Sequence, residues 1–118
     1  MELVNHEKFT HSYTDVYCEN KEYRKFNAPH HFYVKDKNGN TVCAVDFQEG
    51  PIKENGVNGC SNEDLVLMII TRLESFQNSD YACEENQKAI DYFMKGIDAL
   101  RERTNKRISR GVEGTSTI

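Results

Sequence analysis

The residues from Tyr81 to Arg110 form the longest periodic stretch of the chain, and a helix over that span runs roughly 45 Å at about 1.5 Å per residue. In a chain of 118 residues, a rod of that length cannot cover its own apolar side, so other elements and further copies must line it. Written as heptads, one stripe runs Asn86, Phe93, Leu100, Arg107 and its partner runs Cys83, Ile90, Ile97, Thr104. The apolar seam is thus flanked by polar residues at both ends, where a purely structural seam would stay apolar. An adjoining stripe holds Ala82, Ala89 and Gly96, followed by Arg103. A mid-helix glycine costs about 1 kcal/mol relative to alanine. Close approach of another helix is therefore the better account of Gly96.

Charge divides along the chain. Residues 101–110 hold Arg101, Arg103, Lys106, Arg107 and Arg110 against Glu102, five minus one, or +4. The first hundred residues hold ten basic and seventeen acidic groups, or −7. Cations near a helix C-terminus complement the dipole, which is one of two readings for Arg101, Lys106 and Arg110, a ligand-facing role being the other. Arg103 and Arg107 continue the packing stripes instead, so their guanidinium groups require an anionic or planar polar partner. Gly111 then ends the helix.

With 37% hydrophobic residues and 29% charged, the chain reads as soluble, and its longest apolar run, Leu65 to Ile70, is far too short to span a bilayer. The N-terminus lacks a signal-peptide pattern, so a cytoplasmic location is expected. A net charge of −4 argues against bulk nucleic-acid binding yet leaves room for a small anion at the basic cluster. Cys18, Cys43, Cys60 and Cys83 have no Cys-x-x-Cys spacing and read as free, buried thiols. His30 and His31 are adjacent and in a strand would point to opposite faces. No metal and no cofactor is expected.

The expected fold class is α+β, with an N-terminal antiparallel sheet containing a β-hairpin, then an antiparallel helical hairpin with one long helix. One domain spans 1–118, divided into a small sheet over 1–47, a glycine-rich loop over 48–60, and the helical hairpin and tail over 61–118. Alternation predicts a strand from Phe9 to Cys18. The polar connection Glu19 to Pro29, with a helical turn, tucks Tyr23 and Phe26 inward. Asn38-Gly39 between two alternating runs predicts a two-residue type I′ turn, pairing Lys37 with Asn40 and His31 with Asp46. That register puts Phe32, Val34, Cys43 and Val45 on one face, packed against the helices. His31 and Asp46 are the one obvious acid–base pair, and a solvated cross-strand contact is the better account of them. Ser61 caps a first helix over 62–77, with Glu63 and Asp64 in its first turn; a phosphate site at this glycine-preceded N-terminus is the weaker reading. The short link Asn78-Ser79-Asp80 makes the two helices antiparallel and brings Phe76 near Asn86. Phe76 suits a core position or a stacking platform, and Asn86 offers a donor and an acceptor to a base edge.

Several motifs occur in order: Phe47-Gln48-x-Gly50-Pro51-Ile52, Gly56-x-Asn58-Gly59, Asn62-Glu63-Asp64-Leu65, Arg72-Leu73-x-x-Phe76-Gln77, Glu85-Asn86, and Arg103-Thr104-x-x-Arg107-x-x-Arg110-Gly111-Val112-Glu113-Gly114-Thr115. Together they resemble the hairpin domain shared by two kinds of phage signal sponge, one directed against CBASS cyclic oligonucleotides and one against Thoeris signals. The match runs from about Phe47 to Thr115, and the added N-terminal sheet makes the chain more similar to the Thoeris type. The resemblance implies no catalysis. It implies that the cyclic ADP-ribose-type signal (gcADPR) made by bacterial TIR proteins is bound intact and withheld in the infected host. The ligand-binding residues it implies are Phe76, Asn86, Arg103 and Arg107. Asn86 and Arg107 are twenty-one residues apart, about 32 Å along one helix, too far for one nucleotide to touch both. A site using both must span two antiparallel chains, so a homodimer with two equivalent pockets is expected. The family extends to a hexamer built as a trimer of dimers, for which no residue here gives the interface. The alternatives are a sponge for CBASS cyclic di- or trinucleotides, a nucleic-acid-binding phage protein using Arg101 to Arg110, and an enzyme acting through His31 and Asp46.

Overall fold

A computed structural model describes residues 1–8 and 11–118 and divides the chain into two compact units, Met1–Cys60 and Ser61–Ile118. As expected, the class is α+β. The first unit is a four-stranded antiparallel sheet in the order β1 (Glu2–Leu3), β2 (Thr14–Cys18), β3 (His31–Asp36), β4 (Thr41–Asp46). β2 is shorter than the strand predicted over 9–18: residues 11–13 are not strand, and Phe9 and Thr10 lie outside the described residues. Alternation sorts Val16 and Cys18 to one face beside Val34 and Phe32, and Cys18 is the most deeply buried of this unit's described residues, 2% exposed. On the opposite face Lys35 lies over the Tyr17 ring, 5.3 Å from its centroid, and Lys37 pairs with Asp15 at 3.1 Å.

The β3–β4 register pairs His31 with Asp46, Phe32 with Val45 and Val34 with Cys43, as expected. The turn is different. Only Gly39 is left-handed, at φ 85°, so the turn is not type I′, and a register shift after Val34 pairs Lys35 with Thr41. Asp36 is the reason. Its carboxylate accepts from Asn38 N–H at 2.9 Å and Asn40 N–H at 3.0 Å, while its carbonyl accepts from Gly39 N–H at 3.1 Å and its N–H donates to the Asn40 carbonyl at 2.9 Å. This wider loop displaces the predicted Lys37–Asn40 pair. Cys43, placed by its pattern on the inner face, is exposed, as is Cys83, so of the four thiols expected to be buried only Cys18 fully is.

Between β2 and β3 the chain makes a 3₁₀ turn over Lys21–Tyr23. Tyr23 and Phe26 are 70% and 51% exposed, so the inward placement expected for them fails. Phe26 adopts φ 51° and Asn27 φ 69° in succession, which swings the Phe26 ring against His30 at 6.5 Å and over Gly50 rather than under the sheet. The loop after β4 contains a four-residue helix α1 (Ile52–Asn55) that the glycine content hid. Gly50, at φ 81°, and Gly59 accept no side chain: a Cβ would stand 2.6 Å from Asn55 Nδ2 at the first and 2.4 Å from the Phe47 backbone at the second.

The second unit is a hairpin of α2 (Asn62–Gln77) and α3 (Glu84–Ser109). Ser61 closes α2 with a reciprocal capping box: Asp64 N–H donates to Ser61 Oγ at 3.1 Å and Ser61 N–H to Asp64 Oδ2 at 2.9 Å. α3 starts three residues later than the periodicity indicated, because Cys83 is its N-cap. Ile70 and Ile90 form its core at 1% and 4% exposure, with Phe93, Ile97 and Leu100 partly buried along the expected stripes. At the far end Gly111, at φ 71°, gives paired closing bonds, from Gly111 N–H to Ile108 and from Val112 N–H to Arg107.

Candidate ligand site on the helical hairpin

The closed end of the hairpin is fixed by side chains. Gln77 clamps Cys83, its Oε1 accepting from Cys83 N–H at 2.9 Å and its Nε2 donating to the Cys83 carbonyl at 2.9 Å. Ser79 Oγ donates to the Phe76 carbonyl at 2.6 Å and accepts from Tyr81 N–H at 3.1 Å. These bonds hold three groups near one another. The Phe76 ring meets the Tyr81 ring edge to face, centroids 6.4 Å apart at 83°, and the Arg72 guanidinium lies 5.1 Å from the Phe76 centroid. Tyr81 is 76% exposed. Asn86 is half-buried in the first turn of α3, and its side-chain amide makes no hydrogen bond among the described residues. A ring with flanking cation and phenol, beside an uncommitted amide, can stack a planar base and pair with its edge.

The two arginines fare differently. Arg103 is exposed and has no partner among the described residues. Arg107 is only 12% exposed and already holds the tail: Nη1 donates to the Thr117 carbonyl at 2.8 Å, and Nη2 to the carbonyls of Val112 at 2.9 Å and Thr115 at 3.1 Å. Glu113 supplies the anion, its Oε2 3.3 Å from Arg107 Nε but not aligned as an acceptor. Planar polar partners are what the packing stripe required of this residue, yet they come from its own chain. Arg110 Nη1 likewise donates to the Ile118 carbonyl at 2.8 Å. Within one chain Phe76 and Asn86 sit at one end of the hairpin, and Arg103 and Arg107 at the other.

Sequence reading gave Gln77, Ser79, Arg72 and Tyr81 no role. The Gln77 clamp was open to inference only from the short link, whose carbonyl and amide groups need partners. At the α2 N-terminus, weighed as a phosphate site, the Ser61–Asp64 box already takes the amides of those two residues, and the carboxylates of Glu63 and Asp64 crowd the first turn.

In the sheet unit His31 lies between two carboxylates, Nδ1 2.7 Å from Asp46 Oδ1 and Nε2 2.9 Å from Glu49 Oε2. Those bonds, Asp46 first and Glu49 second, lift its pKa above the ordinary histidine value, burial opposing in part. Both ring nitrogens are thereby committed, and a general base needs one free. Glu19 accepts from the N–H groups of His30 and His31, each at 3.2 Å. Burial pushes the Glu19 carboxyl up, but the amides of Glu19, His30 and His31 and the nearby imidazole outweigh it, and its pKa is lowered. No group of three His, Cys, Asp or Glu that could hold a metal ion occurs among the described residues, and no described helix is long and apolar enough to cross a membrane.

Residues 39–96 match the family model described as the Acb2/Tad1 hairpin domain. Over 98% of both chains the sequence is 39% identical to a protein named Thoeris anti-defense 1 from Bacillus phage SBSphiJ7.

Proposed function

The chain belongs to the Acb2/Tad1 hairpin family together with Thoeris anti-defense 1, and on that premise we propose that it is a phage anti-Thoeris sponge. It binds a cyclic ADP-ribose-type nucleotide (gcADPR) made by TIR proteins inside the infected cell and withholds it without cleavage. The observation that carries this reading is the closed end of the hairpin, where a family member places an aromatic ring in the last turn of α2 and, in the first turn of α3, a side-chain amide with no partner among the described residues. The proposed site consists of Phe76 as stacking platform, Asn86 reading the base edge, Arg103 facing the anion, and Arg107 acting through the tail that it fixes.

α3 is one uninterrupted helix, so Asn86 and Arg103 are separated by about 26 Å along it. A single nucleotide reaches both only if a second copy packs antiparallel, placing the Asn86 end of one chain beside the Arg103 end of the other. Gly96 supports that arrangement, since a Cβ there would meet nothing within 4 Å among the described residues. Exposed Leu67, Met68, Tyr92 and Met94 supply further apolar surface for assembly into a dimer or a trimer of dimers.

The nucleic-acid reading loses ground because the basic stretch is largely spent internally: Arg107 and Arg110 hold the tail, and Lys106 pairs with Glu102 at 3.3 Å. The enzymatic reading loses ground with both His31 nitrogens committed. The decisive experiment incubates the protein with a TIR reaction, removes free small molecules, heat-denatures the protein, and identifies the released ligand by mass spectrometry. Intact cyclic ADP-ribose isomer is expected. Linear fragments alone would indicate an enzyme, and release of a cyclic di- or trinucleotide only, from a parallel CBASS synthase reaction, would move the chain to the CBASS type of sponge.

A further inference from the structure

We propose that Arg72 is an anion-binding residue of this nucleotide site, donating to the ligand's diphosphate while its guanidinium remains stacked on Phe76. The assignment rests on the sponge reading above and adds a residue to it. Arg72 and Phe76 are one helical turn apart on α2, which places their side chains on the same face. The guanidinium carbon is 5.1 Å from the ring centroid. Such stacking uses the face of the cation and leaves its edge, with five N–H donors, for other partners. None of those donors is bonded among the described residues, and no carboxylate lies within ion-pair distance.

Stacking on the ring proposed to hold the base sets Arg72 apart from the other cations of the hairpin unit: Lys88, near the start of α3, lies over no ring among the described residues. Lys95 is held over Tyr92 at 5.7 Å, Lys106 pairs with Glu102, and Arg107 and Arg110 serve the tail. Arg101 and Arg103 stand at the opposite end of α3. Arg72 is thus the guanidinium that shares its position with the ring proposed to stack the base. A cyclic ADP-ribose isomer, with one adenine and one diphosphate, puts a planar base and anionic oxygens within one short span. The ring takes the first and the forked edge of the guanidinium the second, in the bidentate geometry that arginine makes with phosphate oxygens. Because the stack already restrains the side chain, little rotamer freedom is lost when the ligand arrives.

The test measures binding of a cyclic ADP-ribose isomer, purified from a TIR reaction, by calorimetry at two salt concentrations. The proteins are wild type, Arg72→Gln, Arg72→Lys and Phe76→Ala. Arg72→Gln should weaken binding at least tenfold and show a shallower salt dependence, because one cation–anion contact is gone. Arg72→Lys should fall between, keeping the charge but losing the planar fork. If Arg72→Gln binds within twofold of wild type while Phe76→Ala fails, the assignment is wrong and the sponge reading stands. If Arg72→Gln weakens binding but keeps the wild-type salt dependence, Arg72 only supports the ring, which also overturns it. If wild type itself retains no ligand, the sponge reading falls and takes this one with it.

Discussion

Gln77 reaches across the hairpin link to Cys83 and satisfies both backbone groups of the residue that caps α3, donor and acceptor each at 2.9 Å. One side chain therefore sets where the long helix begins and how Phe76, Tyr81 and Asn86 are presented. Gln77→Ala should lower stability by about 1–3 kcal/mol, two hydrogen bonds at about 0.5–1.5 kcal/mol each. The corresponding drop in thermal midpoint is several degrees, at roughly 4 °C or more per kcal/mol. An unchanged midpoint in calorimetry would show that water replaces the clamp at no cost.

Arg107→Ala should release the tail while leaving α3 intact. Amide hydrogen exchange of residues 112–117 is expected to rise at least tenfold, since three carbonyl acceptors and Glu113 lose their common partner. Exchange across Glu84–Leu100 should stay near wild type. A protected tail in the variant would mean that the Schellman closure at Gly111 alone holds it.

Gly96→Leu separates packing within a chain from packing between chains. With nothing within 4 Å of the added Cβ, the monomer has room for the side chain, and helix propensity improves by roughly 0.8 kcal/mol. A helix packed on that face would instead be overpacked by about 1–3 kcal/mol. Sedimentation should show loss of the dimer with full helicity by circular dichroism. A wild-type dimer in the variant removes this face from the interface.

Complementation tests the shared pocket. Asn86→Ala and Arg103→Ala should each abolish most binding, because both pockets of each homodimer lack one group. After the two variants are unfolded and refolded together, about half the dimers are mixed, and each has one pocket with both residues intact. Roughly a quarter of all pockets should bind tightly, a fraction that follows from twofold symmetry. No tight sites in a titration of confirmed mixed dimers would place each pocket within a single chain.

His31 gives a pH dependence with a definite sign. Its pKa is raised in the fold, so the stability it adds is complete below the ordinary histidine value of about 6.5 and is lost as pH rises through the raised value. Thermal midpoints should decline over that window in wild type and not in His31→Ala. Ligand affinity of His31→Ala should remain within twofold of wild type, since the residue lies in the sheet unit and its partners Asp46 and Glu49 belong to that unit. A flat wild-type profile would indicate that solvent screening cancels the ion pairs, His31 being 39% exposed.

What the sequence determined by itself is local and repetitive. Helical periodicity over many turns identified the inward stripe of Ile90, buried, and Phe93, Ile97 and Leu100, partly buried, since a face is fixed once the 3.6-residue repeat is known. Ser61 and Asp64, three residues apart, announced the cap of α2, and Gly111 the end of α3, because both motifs close within one turn. The His31–Asp46 register followed from centring two alternating runs on Asn38-Gly39. What only tertiary structure decided depends on groups brought together from different elements or on competition among neighbours. Asp36 captured the turn amides and widened the loop that Asn38-Gly39 alone would have made tight. Gln77 set the start of α3 from another helix. Phe26 turned outward through two left-handed residues that no pattern marks. Arg107 had the need for a partner written in its stripe position, but a charge does not specify its counterpart, and the fold met that need with the carbonyls of its own tail.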